Sequence, residues 1–108
     1  MLVLFDHGTP APLQSFLLNH TVKKAKDLGW DLLTNGELLD AAEKAAFEVL
    51  LTTDKNMRFQ QNLRKYVIAV VVLGNHRWPV ARCYVDRIVT AVNAARPGTY
   101  TEVEIPES

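Results

Sequence analysis

The sequence predicts an α/β fold, with a mostly parallel central sheet of about five strands and helices on both of its faces. Three observations carry this. The runs 2–5 (LVLF), 49–53 (VLLTT) and 66–73 (YVIAVVVL) are short and almost wholly apolar, as expected of strands buried on both faces in a parallel sheet. The segments after Thr34 and Pro79 instead repeat their apolar residues at helical spacing. Strand and helix patterns alternate along the chain, which favours parallel crossover units over hairpins.

In chain order, the first strand ends at Asp6, and Thr9-Pro10 offers a helix N-cap followed by an N1 proline. The helix expected there carries Leu13, Phe16 and Leu17 on one face and ends at Asn19-His20. A modest strand over 21–25 leads to a turn through Asp27, Leu28, Gly29 and Trp30. Thr34-Asn35-Gly36-Glu37 has capping-box spacing, and Leu38, Leu39, Ala42, Ala45 and Ala46 form the apolar stripe of the next helix. Asp54 closes the strand over 49–53, and a polar stretch then leads to the strongest apolar run, 66–73, broken by Gly74-Asn75. Pro79 opens a long amphipathic helix with Ala81, Tyr84, Val85, Ile88, Val89 and Val92 at helical spacing, stopped by Arg96-Pro97-Gly98. Residues 100–105 alternate and predict a final edge strand. The expected organisation is a single domain over 1–105 and a loose tail over 106–108.

A chain of 108 residues, 48% of them hydrophobic, suffices for one core and leaves no room for a second domain. Twelve basic and twelve acidic residues cancel, so no global field points to nucleic acid or membrane. Their distribution is uneven. Residues 1–54 hold eight acids against four Lys or Arg, whereas 55–85 hold six basic residues and no acid. Cys83 is the only cysteine, which excludes an internal disulfide and suits a reducing compartment; its neighbours predict a buried thiol. The apolar opening ends at Asp6 with no basic segment before it, so neither a signal peptide nor a membrane span is expected, and the protein is expected to be cytoplasmic.

The opening Asp6-His7-Gly8-Thr9 is similar to the phosphoaspartate loop of haloacid dehalogenase phosphatases. That chemistry needs a second acid two residues after the nucleophile, and Gly8 stands there. That reading is therefore set aside.

In an open parallel sheet, functional groups gather beyond the carboxyl ends of the strands. Asp6 and Asp54 each follow a buried strand, and neighbouring strands would bring both carboxylates into one crevice. Glu37 stands at the mouth of the helix that leads to the Asp54 strand. Three converging acids need a cation between them, and an all-oxygen donor set suits Mg²⁺ or Mn²⁺. The basic, amide-rich stretch with Lys55, Arg58, Gln60, Gln61, Asn62 and Arg64 begins directly after Asp54 and is suited to a phosphate backbone. Each acid also has a structural reading: Glu37 in the capping box, Asp54 as a cap, Asp6 in an Asx-turn. His7, His20 and His76 share no metal-binding spacing, Trp30 and Trp78 read as packing, and Asp86 lies too far into its helix to reach the crevice.

Taken together, strand-Asp6, NGELLDAAE at 35–43, LLTTDKN at 50–56 and QQNL at 60–63 resemble the small PIN-like domains related to the ribonuclease toxins of bacterial toxin–antitoxin pairs. The likeness extends to HTV at 20–22, LGW at 28–30 and WP at 78–79. It implies a PIN-like three-layer α/β/α sandwich and a Mg²⁺- or Mn²⁺-dependent endoribonuclease with Asp6, Glu37 and Asp54 as catalytic metal ligands. Asn56 stands where relatives often carry a further acid, as an auxiliary ligand or water-orienting group, and Asn75 and His76 replace a fourth carboxylate. Asn35, Lys55, Arg58, Gln61 and Arg64 are the implied substrate contacts. RNA, an antitoxin protein and a second copy of the chain in a homodimer are the implied partners. The alternative is a noncatalytic PIN-like module that binds RNA or a protein partner. A phosphoacceptor receiver domain ranks below both, because the paired acid after the first strand and the Lys-Pro after the last are missing.

Overall fold

The computed structural model describes residues 1–57 and 63–106. Five strands, β1 (Leu2–Phe5), β2 (Thr21–Lys24), β3 (Val49–Thr52), β4 (Ala69–Leu73) and β5 (Tyr100–Val103), form one sheet in the order β2-β1-β3-β4-β5. Every pairing is parallel. Among the described residues the α-helices are α1 (Asn35–Lys44), α2 (Trp78–Ala81) and α3 (Val85–Asn93), and 3₁₀ turns fill much of the remaining connections.

Register explains the apolar runs. Val3 lies beside Val49 and Val49 beside Ala69, so alternate residues of three adjacent strands share a face. Val3, Phe5, Val49, Leu51, Val71 and Leu73 pack with Leu13, Leu17, Val80, Ile88 and Val92 on one side. Leu4, Leu50, Val70 and Val72 pack with Leu38, Leu39, Ala42 and Met57 on the other. Both faces are covered, which accounts for strands without polar alternation and gives an arrangement compatible with a three-layer α/β/α sandwich. Each fully buried Leu or Val contributes about 1.5–3 kcal/mol of transfer free energy.

The connection from β1 to β2 moves one way across the sheet, and those from β2 onward move the other way. The direction therefore reverses between β1 and β3, the place where open α/β sheets leave a crevice at their carboxyl edge. The β1–β2 and β4–β5 connections cover the same face while travelling in opposite directions, so they have opposite hands. Crossovers of unusual hand are rare in parallel sheets.

Several local expectations need correction. The segment after Pro10 is a 3₁₀ helix, Ala11–Phe16, with Pro10 rather than Thr9 at the N-cap; Leu13 and Leu17 are buried, but Phe16 is exposed and lies against Trp78. Thr9 is drawn away from capping by other partners, described below. Helix α1 stops at Lys44 because Ala46 takes a left-handed φ of 65°, with the Phe47 amide bonding back to the Ala42 carbonyl. This is a C-terminal cap geometry normally given to glycine. Strand β4 begins at Ala69 rather than Tyr66, since Val67 and Ile68 spend their amides on Glu43 Oε1 at 2.7 and 2.8 Å and so cannot join the ladder. The long last helix is divided by a 3₁₀ turn at Arg82–Tyr84, and Cys83 is exposed on that turn. No helix among the described residues is long and apolar enough to cross a membrane.

Candidate functional site

The carboxyl edge at the reversal point brings together two strand ends and one helix mouth. Strand β1 delivers Asp6 and strand β3 delivers Thr52 and, two residues on, Asp54. The backbone joins them first: the Asp6 amide donates to the Leu51 carbonyl at 3.1 Å. Gly8 lets the two loops approach, because a Cβ there would stand 2.5 Å from Thr53 Oγ1.

Asp6 is held on both carboxylate oxygens. Its Oδ1 accepts the Gly8 amide at 3.1 Å, an Asx-turn, and faces Thr9 Oγ1 at 2.9 Å. Its Oδ2 accepts the hydroxyl of Thr52. Thr52 Oγ1 in turn accepts the Asp54 amide at 3.1 Å, so one buried hydroxyl links the Asp6 carboxylate to the Asp54 turn. Asp54 is held likewise: its Oδ1 accepts the Asn56 amide at 2.9 Å, and its Oδ2 accepts Asn35 Nδ2 at 2.6 Å. Helix α1 thus reaches the crevice through Asn35, its first residue.

Glu37 is engaged elsewhere. Its Oε1 accepts the Thr34 amide at 3.0 Å while the Thr34 hydroxyl accepts the Glu37 amide at 3.3 Å, a complete capping box. Hydrogen bonding of the carboxyl to the Thr34 amide, and then to the Thr34 side chain, holds it below the ordinary range. Asp6 and Asp54 are brought together at adjacent strand ends, Glu37 closes on its own helix, and no group of three or more His, Cys, Asp or Glu suited to a metal gathers among the described residues.

Burial pushes the Asp6 carboxyl above its ordinary value, and hydrogen bonds from Thr52, Thr9 and Gly8 only partly oppose this. The hydrogen count gives this a structural form. Thr9 has one hydroxyl hydrogen and two acceptors within reach, Leu51 O at 2.7 Å and Asp6 Oδ1 at 2.9 Å. With Asp6 ionised, that hydrogen can serve the carboxylate. With Asp6 protonated on Oδ1, the carboxyl donates to Thr9 and Thr9 donates to Leu51. Each protonation state has a consistent network.

The expected substrate contacts are distributed unevenly. Lys55 follows Asp54 directly, is exposed, and lines a cleft of about 320 Å³ with Val72, Gly74 and Glu102. Arg64 is exposed on the 3₁₀ turn Leu63–Lys65. Arg58 and Gln61 lie outside the described residues, as do Gln60 and Asn62. Asn56 is exposed and holds Asp54 through its amide. Asn75 accepts the Arg77 amide at 2.9 Å in a turn of its own.

Two residues of this network, Thr9 and Thr52, are given no part in the site by the sequence motifs. The available signal is the hydroxyl itself. A threonine ending a strand covered on both faces must find hydrogen-bond partners inside the protein, and a strand-end acid beside it is the natural one. Comparison with family models, with curated proteins and with solved structures finds no match to this chain.

Proposed function

We propose that the chain is a PIN-like, divalent-metal-dependent endoribonuclease of the toxin–antitoxin type, cleaving RNA phosphodiesters with metal-activated water. The observation that supports it is the pairing of Asp6 and Asp54 at the ends of adjacent parallel strands, at the reversal point of the sheet, tied through one Thr52 hydroxyl. The donor chemistry fits a hard cation: two carboxylates give oxygen ligands, with Asn35 on Asp54 from α1 and Asn56 in the Asp54 turn. Mg²⁺ commonly takes one or two carboxylates and keeps its remaining waters. Asp6 and Asp54 would hold the ion, with Asn56 as an auxiliary group, and Glu37 would act on the site only by capping α1.

When bound, such an ion supplies an activated water and offsets charge on the phosphate. The chain's own residues do the rest. Thr52, Thr9, Gly8 and the Asn56 amide restrict the two carboxylates, and Asn35 anchors Asp54 to α1. Lys55 and Arg64 supply exposed positive charge for the phosphate backbone. An antitoxin protein, a second copy of the chain and a cytoplasmic location go with this reading.

One observation favours the second reading, a noncatalytic module that binds RNA or a protein partner. Each oxygen of both carboxylates already accepts a hydrogen bond, and no third acid joins them among the described residues. Incubating the protein with single-stranded RNA and Mg²⁺ or Mn²⁺ separates the two. Cleavage that stops on chelation supports the enzyme, and salt-dependent binding without cleavage in either metal supports the module.

A further inference from the structure

We infer that Thr52 is a positioning residue, whose hydroxyl sets the Asp6 carboxylate relative to Asp54 so that the two acids can share one cation. The inference rests on the metal-site reading above and adds the residue that acts through the acids. Asp6 and Asp54 sit on separate loops, and backbone pairing of β1 with β3 fixes their Cα atoms but leaves the carboxylates free to turn. Thr52 removes part of that freedom. It is the last residue of β3, wholly buried, and its neighbours in the strand, Val49, Leu50 and Leu51, are all apolar.

The hydrogens of this link have a consistent assignment. A threonine hydroxyl has one hydrogen and two lone pairs. The Asp54 amide brings its own hydrogen to Thr52 Oγ1, and the hydroxyl hydrogen has Asp6 Oδ2 as its acceptor. The link thus runs from the Asp54 N–H through the Thr52 hydroxyl to Asp6 Oδ2. Asp6 Oδ2 is the acceptor of that hydrogen, while Oδ1 faces Gly8 and Thr9. The aim of the hydroxyl is itself stiff, because a β-branched side chain has a restricted χ1.

A purely packing role calls for a different residue. Valine has the shape of threonine, suits a strand buried on both faces, and brings no polar atom to satisfy. The hydroxyl is explained by what it joins, a carboxylate on one strand and the turn of a second carboxylate on the next.

The test is Mn²⁺ affinity, measured by isothermal titration on the full chain, for wild type, Thr52→Val and Thr52→Ser, with cleavage of single-stranded RNA recorded in parallel. Loss of a group that orients metal ligands costs about 10–100-fold in affinity. Thr52→Val is expected to weaken Mn²⁺ binding by about tenfold or more, and Thr52→Ser to restore most of it. Thr52→Ala carries the hydroxyl-free comparison if Thr52→Val does not fold. Unchanged affinity in the hydroxyl-free variant, or equal loss in Thr52→Ser, overturns the positioning role while leaving the metal site standing. Absence of Mn²⁺ binding in wild type overturns the metal-site reading and this inference with it.

Discussion

Asp6→Asn should gain on wild type in stability as pH rises. The amide oxygen can replace Oδ1 and keep the bonds from Gly8 and Thr9, but the amide nitrogen then faces Thr52 Oγ1, which already accepts the Asp54 amide. The Thr52 hydrogen loses its acceptor, a net cost of about 1 kcal/mol. Below the unfolded carboxyl range, where Asp6 keeps its proton in both states, that cost stands alone and the variant is the less stable. The sign at higher pH follows from the raised carboxyl. Between the unfolded and folded values the unfolded chain has released its proton and the native state has not, so wild-type stability falls with pH, by at most about 1.4 kcal/mol per unit for one group. The fall ends once pH passes the raised folded value. Asparagine cannot titrate, so the variant gains on wild type across that window and holds its gain above it. Urea melts from pH 3.5 to 7.5 in chelator, on both proteins, measure the difference directly. A variant that loses ground to wild type as pH rises would show that hydrogen bonding outweighs burial at Asp6, and would refute the reasoning.

Ala46→Gly should stabilise the protein by about 1 kcal/mol in thermal melts, because a left-handed φ of 65° costs an L-residue roughly 1–2 kcal/mol and glycine gives part of that back as chain entropy. Gly74→Ala should destabilise by about 1–3 kcal/mol, since its Cβ would stand 2.7 Å from the Ile105 amide nitrogen and 3.1 Å from the Val103 carbonyl oxygen, both of them backbone. Glu37→Gln should leave Mn²⁺ affinity unchanged in titration and remove the stability that the lowered Glu37 carboxyl supplies; in wild type this is present above its ordinary value and lost as pH falls through the folded one.

The sheet was legible because parallel strands covered on both faces leave a plain mark: Leu2–Phe5, Val49–Thr52 and Ala69–Leu73 are nearly pure apolar runs. Edge strand β5 was legible from alternation, and the start of α1 from its capping box. The same Thr34-Glu37 spacing that located α1 also predicts the engagement of Glu37 with its own helix, so one signal argued against the role given to that acid. Local periodicity could not resolve what distant partners decide. Tyr66–Ile68 looks like strand, but Glu43 on α1 takes the amides of Val67 and Ile68. Thr9 looks like an N-cap, but Leu51 and Asp6 claim its hydroxyl. Ala46 carries no mark of a left-handed residue, because the helix end imposes it. Thr52 reads as an ordinary β-branched strand residue until its neighbour across the sheet is known.

The most direct measurement is cleavage of single-stranded RNA by purified protein, with Mn²⁺ or Mg²⁺, with chelator, and in Asp6→Asn and Asp54→Asn. Metal-dependent cleavage in wild type, abolished by chelator and in both variants while RNA binding persists, is the predicted result. Intact RNA with either metal, alongside salt-dependent binding that Asp6→Asn leaves unchanged, would contradict the enzyme and leave the binding module.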